Sequence, residues 1–264
     1  MRTNVITGAA GGMGIAIRNY LEEKGEKVIG VDIRDAEVIA DLSTVEGRKS
    51  MIKEIGQLSG GKIDGLVAGA GVSNTPQIPG DLMTSVNYFG AVATLEGLRP
   101  ILAKSDSPRA VAIGSNSMSV IPIIKNLLDL FTSGNESGAR ELSNQFSREE
   151  PGVYATTKLG LAQWVRKKAI TKEWIGNEIS LNIIAPGLIS TPMNPEERLA
   201  EVLKLGKVYP IPANRSGTSD EVAALVGYLL SENSGFMSGS VIFMDGGTES
   251  VMRSIDSPAP IAVV

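Results

Sequence analysis

Short, almost continuous apolar runs alternate along this chain with longer stretches in which apolar positions recur every three or four residues. The runs at 4–7, 27–32, 65–68, 110–114, 180–185 and 241–244 are built largely of Val, Ile, Leu and Ala. An uninterrupted apolar run suits a strand covered on both faces. The helical periodicity predicts helices over 12–23, 45–58, 91–103, 154–173 and 220–231. Ser219, followed by Asp220 and Glu221, reads as the N-cap of the last of these. Strand and helix alternate, which argues for an α/β chain with one doubly wound parallel sheet of about seven strands, flanked by helices.

Two segments break the rhythm. Residues 117–152 hold apolar patches at 121–124 and 127–130 and then turn polar, forming an insertion before the 154–173 helix. Residues 189–215 follow the fifth strand–helix connection and read as a lid. Segments this long inside a compact domain carry function or structure of their own. No internal repeat or linker divides the chain, so 1–250 is expected as a single domain. The Pro-containing apolar tail, 251–264, is expected to be poorly ordered or to pack on a partner subunit.

The 264 residues are 42% hydrophobic and 20% charged, with net charge −4. That balance and the lack of any basic run exclude nucleic acid as an expected partner. No apolar stretch approaches the ~20 residues of a membrane span. The first residues enter a strand-like run without a leader pattern, so a cytoplasmic location is expected. Two zeros narrow the chemistry further, because there is neither cysteine nor histidine. Disulfides, thiolate nucleophiles, imidazole bases and His- or Cys-based metal sites are all removed, and no metal is expected. Proton chemistry must then come from Tyr, Lys, Asp, Glu or a cofactor. In "PGVYATTKLGLAQW", Tyr154 and Lys158 stand four positions apart just after a Pro-Gly break. On a helix, a phenol and an ammonium at that spacing share one face.

"TGAAGGMG" spans 7–14, between the first strand and the first helix. Thr7, Gly8, Gly12, Met13 and Gly14 there form a phosphate-binding turn of Rossmann type. Its glycines allow close approach of a pyrophosphate to the helix N-terminus. Asp32 ends the second strand, eighteen positions after Gly14, close to the ~20 expected for the acid that binds ribose hydroxyls. Its charge repels a 2′-phosphate, so NAD is favoured over NADP. Asp41 and Leu42, in "ADLS", are placed at the adenine edge.

TGxxxGxG, an acid ending strand two, "AGAG" after the next long strand, YxxxK and a following "APG" together resemble the short-chain dehydrogenase/reductase family over residues 1–250. "VDIRDAEVIADLSTVEGRK", "SVNYFGA" and "DGGTESVMR" are similar to its bacterial NAD-dependent 3α-hydroxysteroid dehydrogenase/carbonyl reductase branch. The resemblance implies Tyr154 as the acid/base and Lys158 as the group that lowers its pKa and holds the nicotinamide ribose. It implies Ser115 as the partner of the substrate oxygen, with Ser117 the weaker candidate. It implies that Asn87 anchors, through its backbone carbonyl, a water leading to the lysine. Ala70 and Gly71 would approach the adenosine side, and Pro186, Gly187, Ile189 and Thr191 the nicotinamide. Two departures stand out. "AGAG" replaces the family's usual Asn-Asn-Ala-Gly, and Ser115 and Tyr154 lie 39 positions apart because of the insertion. Many members pair their subunits through the two helices beside that insertion, so a homodimer through another surface is expected rather than a tetramer.

The expected reaction is interconversion of a secondary alcohol and a ketone, with NAD(H) as cofactor. The expected substrate is a small apolar cyclic molecule, a 3α-hydroxysteroid being the first choice. Met193, Leu199, Leu203 and Tyr209 are candidate wall residues of its pocket. A non-steroid alcohol is one alternative substrate, and a dinucleotide sensor without turnover is an alternative function. Reduction of an activated C=C bond fits less well, because family members that do so usually separate Tyr and Lys more widely.

Overall fold

A computed structural model describes residues 1–147, 150–191, 196–206, 208–254 and 256. Its main sheet is parallel throughout, with strands β1 (Thr3–Thr7), β2 (Lys27–Asp32), β3 (Val38–Ile39), β4 (Gly65–Ala68), β5 (Arg109–Ile113) and β6 (Ser180–Pro186). The short strands β7 (Ile189–Ser190) and β8 (Gly217–Thr218) pair with each other, and β9 (Val241–Met244) returns to the main sheet. The order across the sheet is β3-β2-β1-β4-β5-β6-β9. β1 therefore pairs with β2 on one side and β4 on the other. Strand order reverses there, and in such sheets ligands bind beyond the carboxyl ends of the strands at that reversal.

Residues of β1, β4, β5 and β6 are buried almost without exception, which is why their sequences show no alternation. On one face, α1 (Gly12–Glu23) buries Ile17 and Leu21 against Val222, Val226 and Leu229 of a late helix. On the other, α2 (Val45–Leu58) contributes Met51 and Ile55. There, α3 (Gly80–Thr84) runs through a π-helical turn, Ser85–Gly90, into α4 (Ala91–Leu102).

The insertion is not a bare loop. It folds into α5 (Ser117–Val120), α6 (Lys125–Thr132) and α7 (Glu136–Ser143). These lie against α3 and the long helix α8 (Gly152–Ala169). Phe131 of α6 is 1% exposed, and its ring stacks on Tyr88 at 4.5 Å. Gly160 of α8 makes the room, since a Cβ there would lie 2.9 Å from the Phe131 ring. The helix α8 ends at Ala169, short of the expected 173. Trp174 is fully buried, edge-on to Trp164 at 6.1 Å, and the chain must turn inward to seat it. The Thr171 hydroxyl donates to the Lys168 carbonyl, closing the helix end.

After β7, α9 (Glu196–Lys204) leads back to β8. The helix α10 (Ser219–Leu230) is capped one residue earlier than expected. Thr218, not Ser219, accepts the Glu221 N–H, and the Glu221 carboxylate accepts the Thr218 N–H, a reciprocal box. The short helix α11 (Thr248–Met252) follows β9, and residues 257–264 of the expected tail lie outside the described residues. No helix is long and apolar enough to cross a membrane, among the described residues.

Candidate active site

A cavity of about 560 Å³ opens beyond the carboxyl ends of β1 and β4, where the sheet order reverses. Its size is that of a small-molecule site. Apart from Thr7, every residue expected at the cofactor lines it. Gly8, Gly12, Met13 and Gly14 form its floor. Asp32, Asp41 and Leu42 lie at one end; Tyr154, Lys158, Pro186, Gly187, Ile189 and Thr191 lie toward the other, with Ala70 and Gly71 also on the wall.

The floor is shaped for an anion. Gly8 has φ +78°, and a Cβ there would lie 2.9 Å from the backbone of Gly69 and Ala70. A Cβ at Gly14 would fall on the Gly8 carbonyl. No side chain caps the N-terminus of α1, so its first N–H groups and positive dipole end are left for a ligand. Thr7 stands behind this turn. Its hydroxyl oxygen accepts the N–H groups of Gly69 and Ala70, each at 3.1 Å. That contact holds the "AGAG" loop without the asparagines it lacks.

Asp32 receives the Ala10 N–H at 3.0 Å on one carboxylate oxygen and the Ile33 N–H at 2.7 Å on the other. The acid is thereby fixed against the glycine turn. Arg34, two residues on, is exposed and neighbours Asp35 at 4.0 Å. A dinucleotide fits these residues: an uncapped helix end for the pyrophosphate, glycines where a Cβ would clash, and a fixed acceptor for ribose hydroxyls.

At the other end, Ser115 follows β5 and Tyr154 occupies the first turn of α8. Their side chains are hydrogen-bonded. Burial pushes the Tyr154 phenol above its ordinary value, and the bond with Ser115 works the other way. The Lys158 ammonium does not figure in that balance. Lys158 is 5% exposed and donates to the Ile113 carbonyl at 3.1 Å. Its ammonium lies 5.7 Å from the centre of the Tyr154 ring. Burial brings its own pKa down to about 8.

Asn87 lies in the π-helical turn and is fully buried. Its side chain pairs with the backbone of Val72, accepting that N–H at 2.8 Å and donating to that carbonyl at 3.0 Å. Gly71 separates it from Lys158, since a Cβ there would sit 3.2 Å from Asn87 Oδ1 and 3.5 Å from Lys158 Nζ. A π-turn of this kind often marks a functional position.

Among the expected substrate residues, Ser115 lines the cavity and Ser117, Leu203 and Tyr209 do not. Ser117 donates its N–H to the Ser115 hydroxyl oxygen at 3.2 Å, and so orients that serine. Tyr209 directs its hydroxyl to Asn116 at 2.9 Å, and burial foremost pushes its phenol up. Met193 lies outside the described residues, as does the side chain of Leu199. Reasoning from the sequence missed Val72, Ile113 and Asn116. The first two act through backbone atoms and leave no residue-type signal. Asn116 stands next to Ser115 in "GSNS", and that adjacency is its signal in the sequence. No group of three or more acidic residues could hold a metal ion, among the described residues.

A seven-stranded doubly wound sheet with Tyr154, Lys158 and Ser115 beyond a glycine turn defines a nucleotide-dependent dehydrogenase architecture. The chain belongs to the short-chain dehydrogenase/reductase family: a family model described as "Enoyl-(Acyl carrier protein) reductase" matches residues 8–249. It is 38% identical over 256 residues to the 3-alpha-hydroxysteroid dehydrogenase/carbonyl reductase of Comamonas testosteroni, covering 94% of this chain and 97% of that one. It is 28% identical to the 3-oxoacyl-[acyl-carrier-protein] reductase FabG of Thermotoga maritima, covering 92% and 96%. Among solved structures, the 3-alpha-hydroxysteroid dehydrogenase of Pseudomonas sp. B-0831, complexed with NADH, superposes with TM-score 0.83 at 32% identity, covering 96% of this chain and 99% of that one. The chain is thus an oxidoreductase of the short-chain type, in a family that uses NAD(P).

Proposed function

We propose that this chain interconverts a secondary alcohol and a ketone on an apolar cyclic substrate, with NAD(H) as cofactor and a 3α-hydroxysteroid as the first candidate. The observation that carries the reading is the layout of one cavity. Asp32 and the glycine turn stand at one end, and Tyr154, Ser115 and Lys158 at the other. The relatives' names support the substrate class, and the NADH complex of the Pseudomonas enzyme supports the cofactor.

When bound, the nicotinamide takes up or returns the hydride. Asp32 accepts the adenosine ribose hydroxyls, and its carboxylate disfavours a 2′-phosphate. Ser115 donates to the substrate oxygen and orients it. In ketone reduction, Tyr154 gives that oxygen its proton, and its raised pKa keeps the proton available at neutral pH. In alcohol oxidation, Tyr154 takes the proton back. The Lys158 ammonium, below pH 8, holds the nicotinamide ribose and favours the phenolate that reduction leaves behind. Asn87, fixed by its bonds to Val72, stands across Gly71 from Lys158, where its backbone carbonyl would anchor a water leading to that lysine. Ile189 and Thr191 border the nicotinamide.

Initial rates with NAD⁺ and with NADP⁺, over a panel of 3α-hydroxysteroids and simple cyclic alcohols, test this reading. NAD⁺-dependent turnover that disappears in Tyr154→Phe is the expected result. NADH binding without turnover of any alcohol or ketone would overturn it and favour a sensor.

A further inference from the structure

The Tyr209 hydroxyl donates to Asn116 Oδ1 at 2.9 Å, and Asn116 Nδ2 donates to Asp245 Oδ2 at 3.2 Å. These residues come from three places: the limb returning from α9, the end of β5 and the end of β9. The polarity of this chain of bonds has one solution. An ionised carboxylate only accepts. Asp245 already takes the N–H groups of Gly247 at 3.1 Å and Glu249 at 2.8 Å. Asn116 must therefore turn its NH₂ to Asp245 and its oxygen to Tyr209, which can only donate to it.

Asn116 and Asp245 stand directly behind the cavity wall, and Tyr209 reaches it through Asn116. Asn116 is 2% exposed, and its N–H donates to the Pro186 carbonyl at 2.9 Å. A Cβ at Gly187 would lie 2.6 Å from Asp245 Cβ and 3.3 Å from Asn116 Nδ2, so Gly187 lets both approach. The limb carrying Tyr209 is also tied by backbone. Ala213 N–H donates to the Gly246 carbonyl at 3.0 Å, and Gly217 N–H donates to the Leu188 carbonyl at 2.9 Å. Gly246 and Gly247, at φ +66° and +93°, form the turn against which Ile211, Pro212 and Ala213 pack.

We infer that Tyr209 is a positioning residue: through Asn116 and Asp245 it fastens the returning limb of the 189–217 segment to the strand ends that carry Ser115 and the Pro186–Gly187 wall. Only its kinetic consequence rests on the oxidoreductase reading above. Tyr154 and Lys158 sit on α8, and the Lys158 anchor, the Ile113 carbonyl, lies within β5 rather than on the tied limb. Its loss should therefore weaken the hold on substrate more than it slows the chemistry.

Tyr209→Phe removes the hydroxyl and keeps the ring. Hydrogen–deuterium exchange should quicken at the Ala213 and Gly217 amides and stay unchanged in β1, β4 and β5. KM for the alcohol should rise about three- to tenfold, the size of one lost hydrogen bond, with kcat and KM for NAD⁺ within about twofold. Adding Tyr209→Phe to Asn116→Ala should worsen neither readout beyond Asn116→Ala alone, because the two form one unit. Unchanged exchange at the two amides overturns the tie itself, and this arm needs no turnover. Faster exchange with an unchanged KM in an active enzyme reduces Tyr209 to a structural tie and overturns the positioning role. Additive effects in the double variant overturn the route through Asn116. If the wild-type enzyme turns over none of the panel, the function reading fails, and the exchange and double-variant arms still decide the tie.

Discussion

Lys158 sends its ammonium to the Ile113 carbonyl at 3.1 Å and lies 5.7 Å from the centre of the Tyr154 ring. The pair shares a helix face, as the four-residue spacing requires, yet the ammonium is anchored to the neighbouring strand rather than to the phenol. Burial then dominates both groups. It raises the Tyr154 phenol and brings Lys158 down to about 8. The two shifts are opposite in sign because burial disfavours whichever form is charged.

A pH dependence follows. Tyr154 remains protonated across the neutral and mildly basic range, so it does not set the basic limb of ketone reduction there. Lys158 carries its charge below about pH 8 and loses it above. The value of kcat/KM for NADH-dependent reduction should be level up to about pH 8 and then fall, since that ratio reports the free enzyme. In Lys158→Arg the guanidinium keeps its charge, and the limb should vanish from a lowered plateau. A limb near pH 8 that persists in the arginine variant would show that another group titrates.

Tyr154→Phe keeps the ring that packs beneath the site and removes the only phenol lining the cavity, among the described residues. Loss of a positioned acid/base lowers kcat by about 10²–10⁴-fold. NADH affinity, measured by fluorescence, should change by less than about threefold, because the glycine turn and Asp32 are untouched. A variant that retains more than about a tenth of wild-type kcat would remove Tyr154 from the proton-transfer role.

Asp32 connects the end of β2 to the glycine turn through Ala10 and Ile33. Asp32→Ala removes a charged acceptor, whose hydrogen bonds are each worth about 1.5–3 kcal/mol. KM for NAD⁺ should rise at least about tenfold, and the preference over NADP⁺ should shrink as the negative charge is lost. Arg34, exposed beside the cavity, is then left to meet a 2′-phosphate. Unaltered selectivity in this variant would assign the cofactor preference elsewhere.

What was legible in the sequence was mostly local. The glycine turn, Asp32 and the Tyr154–Lys158 spacing each occupy one strand–helix junction or one helix turn, where a short pattern dictates geometry. Strands β1, β4 and β6 were legible because burial on both faces leaves an unbroken apolar run. The two-residue strands β3, β7 and β8 were not, being too short to carry a period. The Tyr209–Asn116–Asp245 chain joins residues 93 and 129 positions apart, and no local pattern announces such a meeting. Lys172 and Glu173 continue a helical composition beyond Ala169, where α8 ends. The burial of Trp174, a tertiary demand, ends the helix sooner.

The insertion is secured from an unexpected side. Arg48 of α2 is 7% exposed and makes a bidentate pair with Glu136, both contacts at 2.7 Å. It also donates to the carbonyls of Leu42 and Ser85, at 2.7 and 3.0 Å. One guanidinium thus links α7, the Leu42 end of the cavity and the π-turn. Arg48 is buried but the Glu136 carboxylate is partly exposed, so water softens the loss of its partner, and stranding it with the two carbonyls costs roughly 1–3 kcal/mol. Arg48→Met should cost a stability in that range in urea unfolding and also raise KM for NAD⁺, through Leu42. A loss below about 1 kcal/mol would mean that the insertion is held by its apolar contacts alone.

Those apolar contacts bear on assembly. Phe131 stacks on Tyr88 and fills the space over Gly160, so α6 covers part of the α8 surface that α8 alone would offer to a second subunit. A helix face already packed against its own chain has little apolar area left for a symmetric partner. The half-exposed edge strand β9, with no neighbour on its outer side among the described residues, remains free for pairing. Light scattering of the purified protein should therefore give a dimer. Cross-linking from Cys introduced at Phe236, which is fully exposed near β9, should join two chains, whereas Cys at Thr132 should not. Phe131→Ala opens a cavity under α6 and should cost about 3–5 kcal/mol without raising the dimer to a tetramer, since α6 and α7 still shield the face. A tetramer in the wild-type protein would place the second interface over the insertion itself.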